Sequence, residues 1–164
     1  MLSRNYSVVG NAPQDSSNAA KIDSAEHVLR FNNYKLGDHS SVVGSKVTHW
    51  VTSFYSDVVF REHQHILCPL PLNVNKYLVK YPGTNRANLK KAYVQFMPVD
   101  IYEDLIKLVP KPSTGIAMLY WIHRTYGLDR SRVFGFNMFD RSQPHQLRSG
   151  KHSQVGLLEC CVEK

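Results

Sequence analysis

The sequence predicts a single α/β domain built on a mostly parallel sheet. Three observations carry that prediction. Short β-branched and aromatic runs recur along the chain and alternate with helical patterns. Several of the runs stop at Gly or Asn, as strands do before a turn. A chain of 164 residues with 43% apolar side chains suits one packed core, so residues 1–164 are read as one domain.

The elements follow in order. Tyr6 to Gly10 is a first strand closed by glycine, and Ala12 to Ser24 is a loop or short helix. His27-Val-Leu-Arg-Phe31 is a second strand, ending in Asn32-Asn33. Val47 to Thr52 is a third, and His65 to Pro71 a fourth, broken by proline. Residues 73 to 91 are polar, with a turn at Pro82-Gly83. Ala92 to Met97 is a further strand. Val99 to Val109 is a helix with early acids and a late Lys107, as the helix dipole favours, and Pro110 and Pro112 end it. A second helix opens at Ser113-Thr114-Gly115, with Ile116, Leu119, Tyr120 and Ile122 on an apolar face and His123 beside it. Arg132 to Phe136 is the last strand, residues 140 to 151 are loop, and Val155 to Val162 is a terminal helix.

Composition narrows the function classes. No apolar run approaches the ~18 residues that span a bilayer. The segment Met1 to Ser7 has no apolar secretion core. The expectation is a soluble, cytoplasmic protein. Three cysteines, Cys68, Cys160 and Cys161, form no CxxC or Cys/His metal spacing. The formal net charge of +7 favours anionic partners: an anionic small substrate, an anionic membrane touched peripherally, or nucleic acid. The basic clusters lack the interleaved aromatics of a base-stacking platform, which argues against nucleic acid.

Two segments stand out. Lys111-Pro-Ser-Thr-Gly115 places two hydroxyls and free amides at a helix start, an arrangement suited to an anion. Val8-Val9-Gly10-Asn11 ends a strand near the N-terminus, but without GxGxxG or a Walker pattern. Both ends, and Asn32, lie where α/β sheets bind ligands, beyond strand carboxyl termini.

The wider pattern is more specific. Val8-Val-Gly-Asn11, Ser16, Ile22-Asp23, Val28-Leu-Arg-Phe-Asn32, Gly37 and Val43-Gly-Ser-Lys-Val-Thr48 resemble the large sialylmotif of the sialyltransferases, glycosyltransferase family 29. Pro112-Ser-Thr-Gly115, Asp129 and Phe134-Gly-Phe136 resemble their small sialylmotif, in the same order. The resemblance spans residues 6 to 136. It implies a Rossmann-like, GT-A-like sheet and a metal-independent, inverting transfer of sialic acid, or a related acidic sugar, from a CMP-linked donor to a glycan hydroxyl. It implies no resident cofactor. Asn11 and Asn32 would meet the nucleotide and phosphate. Ser113, Thr114 and Gly115 would hold the donor carboxylate region. His145 would meet the phosphate, and His152 would be the catalytic base; Glu159 is the nearest acid after it.

The chain also departs from the family. Tyr6 and Leu128 stand where secretory-pathway members pair two cysteines, and Ala19, Glu26 and Val42 replace a Gly and two Asp. Plain structural readings stand beside the functional ones. Asn11 and Asn32 serve as strand-end turns, Ser113 as an N-cap, and His152 as a surface histidine. His27, His49, His63 and His65 show no ligand spacing, and Gly44-Ser-Lys46 is a supporting turn. Two further function classes remain open: a CMP-binding relative without transfer activity, and a basic nucleic-acid-binding module.

Overall fold

The computed structural model describes residues 2–14, 16–54, 65–74 and 93–136. Six parallel strands form one sheet: β1 (Tyr6–Val9), β2 (His27–Phe31), β3 (His49–Val51), β4 (His65–Cys68), β5 (Tyr93–Phe96) and β6 (Val133–Phe134). Their order is β5-β4-β3-β2-β1-β6. The chain lays down β1 to β5 outward in one direction, then returns to place β6 on the other side of β1. The gap between β1 and β6 is therefore the point where the winding reverses.

Side-chain alternation explains why helices cover both faces. Tyr6, Val8, Leu29, Phe31, Val51 and Leu67 point to one face and pack on α3 (Val99–Leu108) and α4 (Thr114–Tyr126). Val9, Val28 and Phe134 point to the other and enclose Ile22 of α1 (Ala19–Asp23). Trp50, Ile66 and Cys68 share that second face with Tyr34 and Phe54. A short helix, α2 (Ser40–Val43), precedes β3.

α4 differs from the expected amphipathic helix. Thr114 and all seven residues from Ile116 to Ile122 are buried, so it is a central helix with almost no solvent face. Its ends are well defined. Ser113 Oγ accepts from the Ile116 amide at 3.3 Å, and Gly127 closes the C-terminus at φ 77°. Only at its last turn does polarity return, where Arg124 reaches Asp104 of α3 at 2.8 Å.

The expected last strand is shorter than its apolar pattern. Arg130–Arg132 forms a 3-10 turn, capped by Asp129 Oδ1 accepting from the Ser131 amide, and leaves only Val133–Phe134 in the sheet. β4 ends at Cys68, directly before the proline that breaks it. The expected turn at Pro82-Gly83, the loop at 140 to 151, the terminal helix from Val155, and both His145 and His152 lie outside the described residues. Among the described residues no helix is long and apolar enough to cross a membrane.

Candidate functional site

All strands run the same way, so their carboxyl ends share one edge. Asn11 follows β1 there, Asn32 follows β2, and Ser53 and Phe54 follow β3. α4 begins at the same edge, because Thr114 Oγ1 and Ser53 Oγ lie 2.9 Å apart in a buried pair. The topology thus brings together the five candidate residues that can be placed: Asn11, Asn32, Ser113, Thr114 and Gly115.

Glycine makes the closest part of this assembly possible. The Gly10 amide donates to the Phe134 carbonyl at 2.8 Å, and the Ala12 amide to the Gly135 carbonyl at 3.0 Å, extending the β1–β6 ladder past its formal end. A Cβ on Gly10 would collide with the Gly135 carbonyl oxygen and stand 2.9 Å from the Phe136 ring. A Cβ on Gly115 would stand 2.9 Å from the same ring. Phe136 is therefore wedged between the end of β1 and the start of α4, edge-on to Phe31 at 5.5 Å. Two glycines far apart in sequence, Gly10 and Gly115, leave room for one aromatic ring.

The candidate side chains have different duties. Asn11 Nδ2 donates to the Phe31 carbonyl at 3.1 Å, tying the ends of β1 and β2. Asn32 sits at φ 45°, and its carbonyl accepts from Trp50 Nε1 at 2.9 Å. Its Oδ1 is buried without a partner among the described residues. Phe54, at φ 58°, is the other described non-glycine residue in the left-handed region, and such a conformation is rare for a bulky side chain. Ser113 is exposed and caps α4. Thr114 is buried, with its hydroxyl engaged by Ser53.

Two charged residues in the first motif act on one turn. Asp23 accepts from the Ser45 amide and hydroxyl at 2.9 and 3.3 Å, and from the Lys46 amide at 3.0 Å. Burial works against that charge, but these donors and the nearby Arg30 outweigh it and hold the Asp23 carboxyl below its ordinary range. Arg30 is 2% exposed. It donates from Nε to the Lys46 carbonyl at 3.0 Å and from Nη2 to the Val43 and Gly44 carbonyls at 2.7 and 3.1 Å. Burial lowers its pKa, against the pull of Asp23 and Tyr34. Arg30, a lone charge inside an apolar strand, was one sequence signal of this clamp.

Beside Asn11 a cleft of ≈ 370 Å³ opens between the loop after β1 and the segment after β2, lined by Gln14, Arg30, Tyr34, Lys35 and His39 among others. Gln14 Nε2 is buried there without a partner among the described residues.

The opposite edge holds a grouping that spacing did not reveal. His27, His49 and His65 begin β2, β3 and β4, and their rings meet at 5.2 Å in each successive pair. His65 in turn meets Tyr93, which begins β5, at 6.2 Å. Neighbouring strands set this contact, so no single-chain spacing encodes it. Burial, then His27 and His65, push the His49 pKa down to about 4. Among the described residues no group of three His, Cys, Asp or Glu side chains is placed to hold a metal ion.

No family model, curated protein or solved structure matches this chain.

Proposed function

We propose that the chain is a sialyltransferase-like glycosyltransferase that moves sialic acid, or a related acidic sugar, from a CMP-linked donor to a glycan hydroxyl. One observation carries the reading: Phe136 wedges the Gly10 end of the first motif against the Gly115 end of the second, at the reversal point of a parallel sheet. Such reversal points are where open α/β sheets bind ligands. Two segments a hundred residues apart in sequence have a common purpose there if one ligand spans both.

In this reading Asn11 and Asn32 meet the nucleotide. Asn32 Oδ1, buried and unpartnered, offers an acceptor. The first-turn amides of α4 at Thr114 and Gly115 face the donor carboxylate, with Ser113 beside them. The Thr114 hydroxyl, bonded to Ser53, orients that turn. His145 is assigned to the phosphate. His152 takes the acceptor proton as the sugar–phosphate bond breaks, in a single inverting displacement. No metal takes part in the scheme.

The test is incubation with CMP-sialic acid and a panel of galactose-terminated glycans, followed by CMP release and sialylated product. Product that disappears with His152→Ala supports the full assignment. CMP binding with neither product nor donor hydrolysis supports the binding relative instead. A salt-sensitive shift with RNA or DNA that CMP leaves unchanged favours the nucleic-acid module.

A further inference from the structure

We infer that the first residues of β2, β3 and β4 form an acid-operated joint: as the row of His27, His49 and His65 takes up protons, the amino margin of the sheet opens while the layers around α4 stay closed. The joint lies at the edge opposite Asn11 and Asn32, and it does not depend on the transfer reading.

Geometry puts three imidazoles in one row. Each begins its strand, and each shares the face of Leu29, Val51 or Leu67, two residues on, which the helices cover. The His27 ring meets His49 edge-on and the His49 ring stacks on His65, both at 5.2 Å. His49, in the middle, is 8% exposed, and its Nδ1 lies 2.9 Å from the Thr48 hydroxyl. Among the described residues, the carboxylate within ion-pair distance of the row is Glu26, 3.5 Å from His27. It is 60% exposed, so water screens it. The remaining groups around His49 offer no negative charge at neutral pH. His27, His65 and the amino terminus all oppose a proton on it. Tyr93 meets His65 at 6.2 Å. Tyr126 of α4 shares a crevice with Leu67 and Gln95, two residues beyond His65 and Tyr93, and His123 and Arg124 are the basic residues at that end of α4. A proton on one ring therefore opposes a proton on the next, and admitting water relieves both.

The segment beside the row is lightly held. Ser3, Arg4 and Asn5 are exposed or half-buried, with Leu2 as their apolar anchor. The Asn5 carbonyl accepts from the His27 amide at 3.1 Å, and Ser3 Oγ donates to Glu26 at 2.8 Å. Exposed hydrogen bonds with little apolar burial mark a unit that can open by itself.

The experiment follows histidine ring titrations and amide hydrogen exchange of the full chain by NMR, at about pH 7 and about pH 5, with and without dilute urea. Protection is corrected for the intrinsic exchange rate. Thermal melts at neutral pH check that each variant is folded. We expect the amides of Thr48 and of β3 and β4 to lose about tenfold protection at the lower pH, because the closed form holds His49 unprotonated down to about pH 4. That loss should depend little on urea, as a small opening does, whereas exchange at Leu119 and Ile122 of α4 should depend on it steeply. His49→Gln should remove most of the loss. His65→Gln should raise the midpoint of the His49 ring, because one opposing charge is gone. His39→Gln, at an exposed histidine outside the row, should change neither. Unchanged protection at the lower pH overturns the inference. So does a loss at Thr48 that follows urea as steeply as Leu119, since the chain then unfolds as a whole, and so does a full loss retained in His49→Gln.

Discussion

At the amino edge of the sheet, the rings of His27, His49 and His65 meet strand to strand, edge-on and then stacked, and the Tyr6 hydroxyl makes two hydrogen bonds. At the carboxyl edge, Asn32 and Phe54 sit at positive φ, Asn32 Oδ1 is unpartnered, and the backbones of Gly10 and Gly135 touch. Each edge leaves a buried polar atom unpartnered among the described residues, Ser7 Oγ near the start of β1 and Asn32 Oδ1 after β2, but positive φ at non-glycine residues is found among the described residues at the carboxyl edge alone. Strain and orphaned polar atoms persist only where surrounding packing over-determines them, and they concentrate at sites of binding. The difference marks the carboxyl edge as the strained one without reference to any motif.

The largest test of that contrast is Gly10→Ala. The new methyl would strike a backbone carbonyl that cannot rotate away, so we expect a loss of roughly 3 kcal/mol or more in urea unfolding. A loss under about 1 kcal/mol would show that the carboxyl edge is pliable and the contrast overstated. Arg30→Met comes next. It strands the Val43, Gly44 and Lys46 carbonyls and leaves Asp23 without its nearby charge, and should cost about 2–3 kcal/mol in the same assay. An unchanged midpoint would mean that the turn holds itself.

At the amino edge, Tyr6→Phe removes both bonds to the 127–129 turn and should cost about 1–2 kcal/mol. His49 sharpens the comparison through pH. Its folded pKa, about 4, lies below the ordinary 6.5, so the unfolded chain takes up the proton first as pH falls. Stability is full above about pH 6.5 and declines toward pH 4, by about 1 kcal/mol once partial solvation is allowed for. His49→Gln should flatten that window in a pH series of thermal melts; an equally steep decline would move the effect elsewhere. The smallest effect belongs to Ser113→Ala, about 1 kcal/mol from the lost cap, whereas Ser113→Asp should retain stability. If Ser113 also meets the donor, Ser113→Asp keeps the melt and loses donor binding by charge repulsion.

Much of the fold was legible because strand burial writes itself into composition. Val8-Val9, Val28-Leu29 and Ile66-Leu67 are apolar on both faces, as a covered parallel sheet requires. The place of β6 beside β1 was not legible, since strand order depends on contacts between distant segments. For the same reason the histidine cluster escaped notice, whereas Asn11, Asn32 and Ser113 could be placed at element ends from local pattern alone. α4 misled in one respect. Its apolar positions satisfy a helical period, but Ala117, Met118 and Trp121 fill the opposite face, and only the covering layers reveal that this face is buried too.

The Tyr6 bond carries one more consequence. Its hydroxyl donates to the Gly127 carbonyl at 2.8 Å and accepts from the Asp129 amide at 3.1 Å, straddling Leu128. Burial raises the phenol's pKa, so the proton it donates is held through neutral and mildly alkaline solution. The joint between the first strand and the turn after α4 is thus held by hydrogen bonds and not by a covalent bridge. A thiol reagent or reductant has nothing there to act on.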